Sequence, residues 1–262
     1  MSKNASFNKL SRDLRLDLLD LTYKSGSGHI GGSLASLDIL ISLYHSDIFN
    51  FKKDHFILSA GHLATALYTV LASKSYFPKS KLPTYGNLGS ILQGHISADV
   101  PGVEYSSGSL GQGLSFAAGL AIGDPKNTVV CLTSDGEQQE GQIWEAIMFA
   151  NKYKISNLIN IVNSNGYQID GTTDEIMPLN DLANKYFQFG WDVVSVDGHN
   201  IPKLIQAFKL AKKSKKPLCI IAKTTLGKGV PFMECNIDYH DVKDLSQENY
   251  LLAKNELKNY FL

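Results

Sequence analysis

An acid-glycine turn and an amide thirty positions on (165 − 135) are the residue types in this chain that could hold a hard cation. They are Asp135-Gly136 in TSDGEQQEG and Asn165 in INIVNSNGYQID. Each follows a short apolar run, and a helix-like stretch lies between them. A carboxylate and an amide oxygen are therefore expected at the ends of two successive parallel strands, the rim where open α/β sheets bind ligands. Such oxygens suit Mg²⁺ or Ca²⁺, particularly an ion that arrives with the oxygens of a diphosphate. An Asp-Gly pair is also an ordinary turn, and this element alone leaves both readings open.

Histidines supply the other chemistry. His29 lies among glycines in SGHIGGSL, His62 follows a strand-like run in LSAGH, and His95 stands in QGHIS ahead of SSGSLGQG. His240 comes after the glycine-bearing stretch KTTLGKGVPFMECNIDY. A lone histidine is more often a structural hydrogen-bonder. Three in glycine-bearing turns and a fourth beyond a Gly-rich turn favour proton transfer at neutral pH, which an unperturbed pKa near ~6.5 permits. His45, His55 and His199 lack such contexts and are read as structural.

The elements that must position these residues follow from periodicity. Leu10, Leu14, Leu18 and Leu21 recur at helical spacing with Gly26 as a stop, and Ser33 can cap a second helix carrying Leu34, Leu37, Ile41 and Tyr44 on one side. HFILS predicts a strand and HLATALYTVLAS a helix. Residues 78–108, with Pro78, Pro83 and Pro101, predict a long loop of the kind that is commonly functional, and the small residues from Ser109 onward predict a tightly packed helix. TVVCLT, NLINIV, WDVVSV and PLCIIA then alternate with helical segments such as QIWEAIMFANKY and KLIQAFKLAKK. That alternation predicts an α/β fold, a mainly parallel sheet with helices on both faces and all carboxyl ends on one rim. Residues 1–262 read as a single domain ending in a helical tail from about 243.

Composition narrows the partners. Lys+Arg 25 balances Asp+Glu 25, so no basic field exists for nucleic acid or an anionic membrane, and the expected partners are small molecules or another subunit. The three cysteines, Cys131, Cys219 and Cys235, have no metal-ligand spacing and suit free thiols in a reducing compartment. The charged N-terminal stretch lacks a signal-peptide pattern, and no run approaches the ~20 apolar residues of a membrane span, so a cytoplasmic protein is expected.

Together these motifs resemble the thiamine diphosphate-binding half of a transketolase, from about Lys9 to His240 and in the family's order. GSLGQG is the most specific piece, matching the family's Gly-x-Leu-Gly-Gln-Gly run, and SDG followed by Asn165 is similar to the thiamine diphosphate signature GDG…N. The chain most resembles the N-terminal subunit of split transketolases. The resemblance implies that Asp135, the side-chain oxygen of Asn165 and the backbone carbonyl of Tyr167 ligate Mg²⁺, for which Ca²⁺ could substitute. It implies that Gly136 allows close approach of the diphosphate. His62 and His240 then contact the diphosphate or the donor's first hydroxyls. Gly108 and Leu110, with Ser109 between them, lie against the aminopyrimidine ring. His29 and His95 bind sugar hydroxyls and handle protons. Glu140 matches an acid that supports the cofactor-activating glutamate across an interface, and a helix N-terminal carboxylate favoured by the dipole is the open alternative.

The implied activity is transfer of a two-carbon ketol unit from a ketose donor to an aldose acceptor, on sugars or sugar phosphates, with the cofactor carrying the hard chemistry. The activating glutamate belongs to a pyrimidine-binding domain, and only 22 residues follow His240 (262 − 240). A separate pyrimidine-binding (C-terminal) transketolase subunit is therefore expected as partner, in an α₂β₂ assembly. Three positions depart from the family pattern: Ser134 stands for Gly, His95 precedes Ile96-Ser97 rather than Pro and an acid, and Asp241 stands for Gly. The last two lie at the substrate mouth and bear on which sugar is taken. The competing readings are a 1-deoxyxylulose 5-phosphate synthase type, a non-catalytic structural homologue, and the α chain of a 2-oxoacid dehydrogenase.

Overall fold

The predicted apolar runs form strands, and their order along the chain gives the topology. In a computed structural model, which describes residues 3–260, the chain runs α1 (Lys3–Ser25), α2 (Ile30–His45), β1 (His55–Leu58), α3 (Ala64–Ser73) and α4 (Gln112–Gly123). It continues through β2 (Val129–Ser134), α5 (Gly141–Lys152), β3 (Leu158–Ser164) and a small hairpin, β4 (Tyr167–Gln168) with β5 (Gly171–Thr172). Then come α6 (Thr173–Ile176), α7 (Leu182–Gln188), β6 (Asp192–Asp197), α8 (Ile201–Ala211), β7 (Leu218–Lys223) and α9 (Gln247–Asn259). Residues 1–2 and 261–262, the extremes of the expected domain and tail, lie outside the described residues.

The main sheet has the order β1-β2-β3-β7-β6 and every pairing in it is parallel. Because side chains alternate along a strand, each strand feeds two cores. Val130, Leu132, Ile159, Ile161 and Ile220 join residues of α1, α2, α3, α8 and α9, whereas Val129, Cys131, Leu158, Val162 and Ile221 join those of α4, α5 and α7. Helices thus cover both faces, as alternation of strands and helices required. Among the described residues, no helix is long and apolar enough to cross a membrane.

Several local expectations need correction. The second helix begins at Ile30, so Ser33 lies inside its first turn and makes no cap; every residue from Ile30 to Tyr44 is buried, not one side only. Wedged between α1, α3 and α8, this helix has no solvent face, and amphipathic periodicity cannot reveal such an element. The helix expected from Ser109 starts at Gln112, after Gly111 takes a left-handed turn at φ 84°. Only one side of it is packed, through Gly113, Leu114, Ala117, Ala118 and Ala121; Phe116 and Ile122 stay exposed. Within the long loop there is one 3₁₀ turn, Lys79–Thr84. The small hairpin and the two short helices after it carry no strong period, which is why the sequence does not announce them.

The first and last parts of the domain meet. Gly28 and Val242 exchange backbone hydrogen bonds of 2.9 and 3.0 Å. Tyr23 of α1 stacks on Tyr250 of α9 at 3.9 Å between centroids, and Lys254 reaches Asp20 at 2.8 Å.

Candidate active site

Parallel pairing of β2 with β3, with Ser134 opposite Asn163, brings the two strand ends side by side. Asp135 follows β2 at once and is buried. Its Oδ1 accepts from the Gly136 amide at 3.0 Å and its Oδ2 from the Gly166 amide at 2.6 Å, while Asn165 Oδ1 accepts from the Tyr167 amide at 2.8 Å. Burial pushes the Asp135 carboxyl up to about 6 against the pull of those amides. A carboxylate oxygen has two lone pairs, so each keeps acceptor capacity after one hydrogen bond. Among the described residues, no three His, Cys, Asp or Glu side chains form a metal cluster. A cation here would depend on Asp135, the Asn165 amide, a backbone carbonyl and oxygens brought by its ligand, a donor set that fits Mg²⁺ or Ca²⁺.

A ring of buried polar groups fixes this turn from below. Gln138 donates to Thr133 Oγ1 (3.0 Å) and to the Ser134 carbonyl (2.9 Å), and accepts from the Tyr186 hydroxyl (2.7 Å), to which Asn160 also donates (2.7 Å). All are satisfied, as buried polar groups must be to avoid a desolvation penalty. Sequence reasoning misses them, because a Gln or Asn in a strand or turn gives no pattern.

Beside the turn the four histidines converge. His29 lies 5.4 Å from His62 and 6.0 Å from both His95 and His240, ring centroid to ring centroid, and His62 lies 6.0 Å from His240. They line a cavity of about 270 Å³ together with Gly108, Leu110, Gly136, Glu140, Asn165 and Tyr167. Ser109 and Asp135 are not part of its wall: the first is exposed and the second buried. Burial lowers His29, His62 and His240, with His62 reaching about 3 under the added influence of its histidine neighbours. The first consequence is that His62 is a neutral imidazole at physiological pH. His240 Nδ1 is buried without a partner, an orphan that a polar ligand could satisfy. Asp241, beside His240, brings a carboxylate oxygen to 3.8 Å from His29 Nε2 and opposes the lowering of His29.

Glu140 occupies the N-cap position of α5 without making a side-chain cap hydrogen bond, and it is exposed. A Cβ on Gly111 would lie 2.7 Å from Glu140 Cβ, so the loop before α4 can approach only as glycine. The three remaining histidines have partners elsewhere: His45 with Ser73, His55 with Glu104 and Asp124, and His199 with Asp38 and the Thr225 amide. Cys131 and Cys219 are buried free thiols, while Cys235 is free and exposed.

Residues 7–257 match the family described as transketolase, thiamine diphosphate binding domain. The chain is 40% identical over 241 residues to one subunit of the apulose-4-phosphate transketolase of Phocaeicola vulgatus, covering 86% of this chain and 85% of that protein. It is 40% identical over 249 residues to the 6-deoxy-6-sulfo-D-fructose transketolase subunit SqwG of a Clostridium species, covering 90% of each. The solved transketolase from Campylobacter jejuni superposes with a TM-score of 0.88 at 30% identity, covering 96% of this chain and 42% of that one. The chain therefore spans well under half of that enzyme, while it is nearly coextensive with the two subunits. It belongs to the transketolase family of transferases.

Proposed function

With that family membership as premise, we propose that this chain is the thiamine diphosphate-binding, N-terminal subunit of a split transketolase that moves a two-carbon ketol unit from a ketose donor to an aldose acceptor. The observation that carries the reading is the meeting of four histidines with Asn165 and Gly136 in one cavity, beside the buried Asp135 whose carboxylate accepts from the Gly136 and Gly166 amides. Asp135, Asn165 Oδ1 and the Tyr167 carbonyl would hold Mg²⁺, with Ca²⁺ as a substitute, and the backbone at Gly136 would admit the diphosphate. When bound, thiamine diphosphate supplies a nucleophilic carbon and a sink for the electron pair released as a carbon–carbon bond breaks.

The chain's own residues do the rest. His62 and His240 offer neutral ring nitrogens to the diphosphate and to the donor's first hydroxyls. His29 and His95 orient the sugar and take up or return its hydroxyl proton, with Asp241 keeping the proton affinity of His29 from falling further. Gly108, Ser109 and Leu110 present backbone to the cofactor's ring. Glu140 stands at the open side of the cavity, where a partner's acid could meet it. The whole chain acts as one cytoplasmic diphosphate-binding domain, with α9 as a tail docked on α1.

The partner is a pyrimidine-binding subunit, in an α₂β₂ assembly. A reason for it lies on α4 and α5, which expose the large apolar side chains Phe116 (43%), Ile122 (46%), Met148 (49%) and Phe149 (41%), the kind of surface that a subunit interface covers. The two subunit relatives are named for a sugar phosphate and a sulfo sugar, so an uncommon ketose with an anionic group is the substrate class to try first. The test is an assay of the purified chain, its co-purifying partner and their mixture. Activity that appears only on mixing is the expected result, and complete two-carbon transfer by this chain alone would sink the proposal.

A further inference from the structure

The stretch that carries Asp135 and Gly136 also carries a carboxylate that forms no part of the cavity wall. Glu137 is fully buried (0% exposed). Its Oε1 accepts from Ser59 Oγ at 2.5 Å and from the Gly111 amide at 2.7 Å; its Oε2 accepts from the Ser134 amide at 3.1 Å. Ser59 Oγ in turn accepts from the Gly113 amide at 3.0 Å, which directs the serine's own proton to Glu137. One side chain thereby joins the end of β1, the end of β2 and the start of α4.

Two features make this more than a satisfied polar group. The N-cap of α4 is Gly111, which has no side chain to cap with. The first amides of a helix need acceptors, and Glu137 and Ser59 provide them from outside the helix. Every neighbour is a donor, so the ionised, acceptor-only form of Glu137 is the one that fits, and the positive end of α4 favours it. Burial opposes that charge and pushes the carboxyl up, and among the described residues no salt bridge reaches it. The packing is also close: a Cβ on Gly113 would lie 2.4 Å from Ser59 Oγ.

The position matters because Leu110 of the cavity wall immediately precedes Gly111, with Gly108 of the same wall two residues earlier, while Gly136 immediately precedes Glu137. We propose that Glu137 is a positioning residue that locks the Gly108–Gly111 loop to the Asp135–Gly136 turn, and so sets the span between the surface facing the cofactor's ring and the seat of its diphosphate. This rests on the functional reading above. Substrate does not touch Glu137; its effect passes through the two backbone segments it ties.

Glu137→Gln keeps the shape and turns an amide NH₂ toward a donor on one side or the other. With the partner bound and Mg²⁺ saturating, thiamine diphosphate is titrated calorimetrically and by its activation of turnover. The variant should bind about tenfold or more weakly, the size of one lost hydrogen bond to a charged group. The cofactor KM should rise with it, while kcat at saturating cofactor stays close to wild type. Ser59→Ala, a milder change that removes one donor, should weaken binding in the same direction and serves the test if the Gln variant does not fold. Cofactor affinity unchanged in a folded variant, with only the apo melting temperature lowered, overturns the inference and leaves Glu137 a merely structural group. A wild-type complex that takes up no thiamine diphosphate overturns the functional reading and this inference with it.

Discussion

Replacing Asp38 by Ala should destabilise this domain more than almost any single surface change, and the structure allows the size to be worked out. Asp38 lies on α2, fully buried, and receives Arg15 of α1 in a forked contact: Nη1 to Oδ1 at 3.0 Å and Nη2 to Oδ2 at 2.7 Å. Ser11 Oγ donates to Oδ1 at 2.6 Å, and His199 Nδ1 lies 2.9 Å from Oδ2. Burial alone would raise the Asp38 pKa, but the Arg15 charge and the hydrogen bonds from His199 and Arg15 hold it far below the usual carboxylate range. Without Asp38, the Arg15 guanidinium stays fully buried with only neutral acceptors, the carbonyls of Lys228, Leu34 and Ser11 at 3.2 to 3.4 Å and the Ser11 hydroxyl. Removing one member of a buried pair costs about 3–5 kcal/mol. For a domain of this size each kcal/mol moves the melting temperature by roughly 2–4 °C, so a fall of about 10 °C is expected by circular dichroism. Replacing both residues with apolar ones of similar volume, Arg15→Met with Asp38→Leu, should recover more than half of the loss, since no charge is then stranded. The pH dependence has a fixed sign. The folded pKa is depressed, so the stabilisation is present above the unfolded value of 3.8 and fades as pH falls toward the folded one. A loss below about 3 °C, or a double variant no better than the single one, would falsify the reasoning.

Three further results are expected. Asp135→Asn should abolish Mg²⁺-dependent uptake of thiamine diphosphate while the apo protein melts no lower than wild type at neutral pH. The reason is that the buried carboxyl, pushed up to about 6, contributes stability only while protonated and loses it as pH rises through that value. Retained cofactor affinity would refute the ligand assignment. Single Ala variants of His29, His62, His95 and His240 should lose ~10²–10⁴-fold in turnover with small thermal losses, and a variant that unfolds readily yet turns over normally when folded was structural. For pH, His45 and His62 have folded values of about 4 and 3, below the ordinary 6.5, so the unfolded chain takes up protons that the folded one refuses. Stability should therefore fall as pH drops from about 7 to 4, at up to ~1.4 kcal/mol per pH unit for each group, and His45→Gln should flatten the melting curve's dependence on acid.

Strand alternation and the short distance from Asp135 to Asn165 made the sheet and its rim readable in advance, because a parallel sheet leaves little freedom in where its carboxyl ends lie. The four histidines were legible by a different route, through the glycines around them, and the fold draws the other three to within 6.0 Å of His29, from positions as distant as 240. Residues that hold the site together were not legible. Glu137 lies two places after Asp135, but a buried acid and an exposed one look alike in a sequence, and its partners come from residues 59, 111 and 134. Gln138 and Tyr186 escaped for the same reason. The start of α2 differs from expectation because a helix buried on every side has no polar face to mark its beginning, and a serine one turn inside resembles a cap.

The meeting of α1 with α9, and of Gly28 with Val242, bears on how the protein is made. The paired residues are separated by 214 positions (242 − 28), a closure whose length-dependent entropy alone is about 5 kcal/mol. While the chain emerges from the ribosome, α1 has its leucines and the Arg15 charge but lacks part of what covers them: the Lys228 carbonyl and the face of α9 have yet to be synthesised. Helices α1, α2 and α3 can associate early, yet His29 cannot meet His240 until residue 240 has left the ribosome. A ribosome stalled before residue 228 would hold a nascent chain with an incomplete core, the kind of species that chaperones retain.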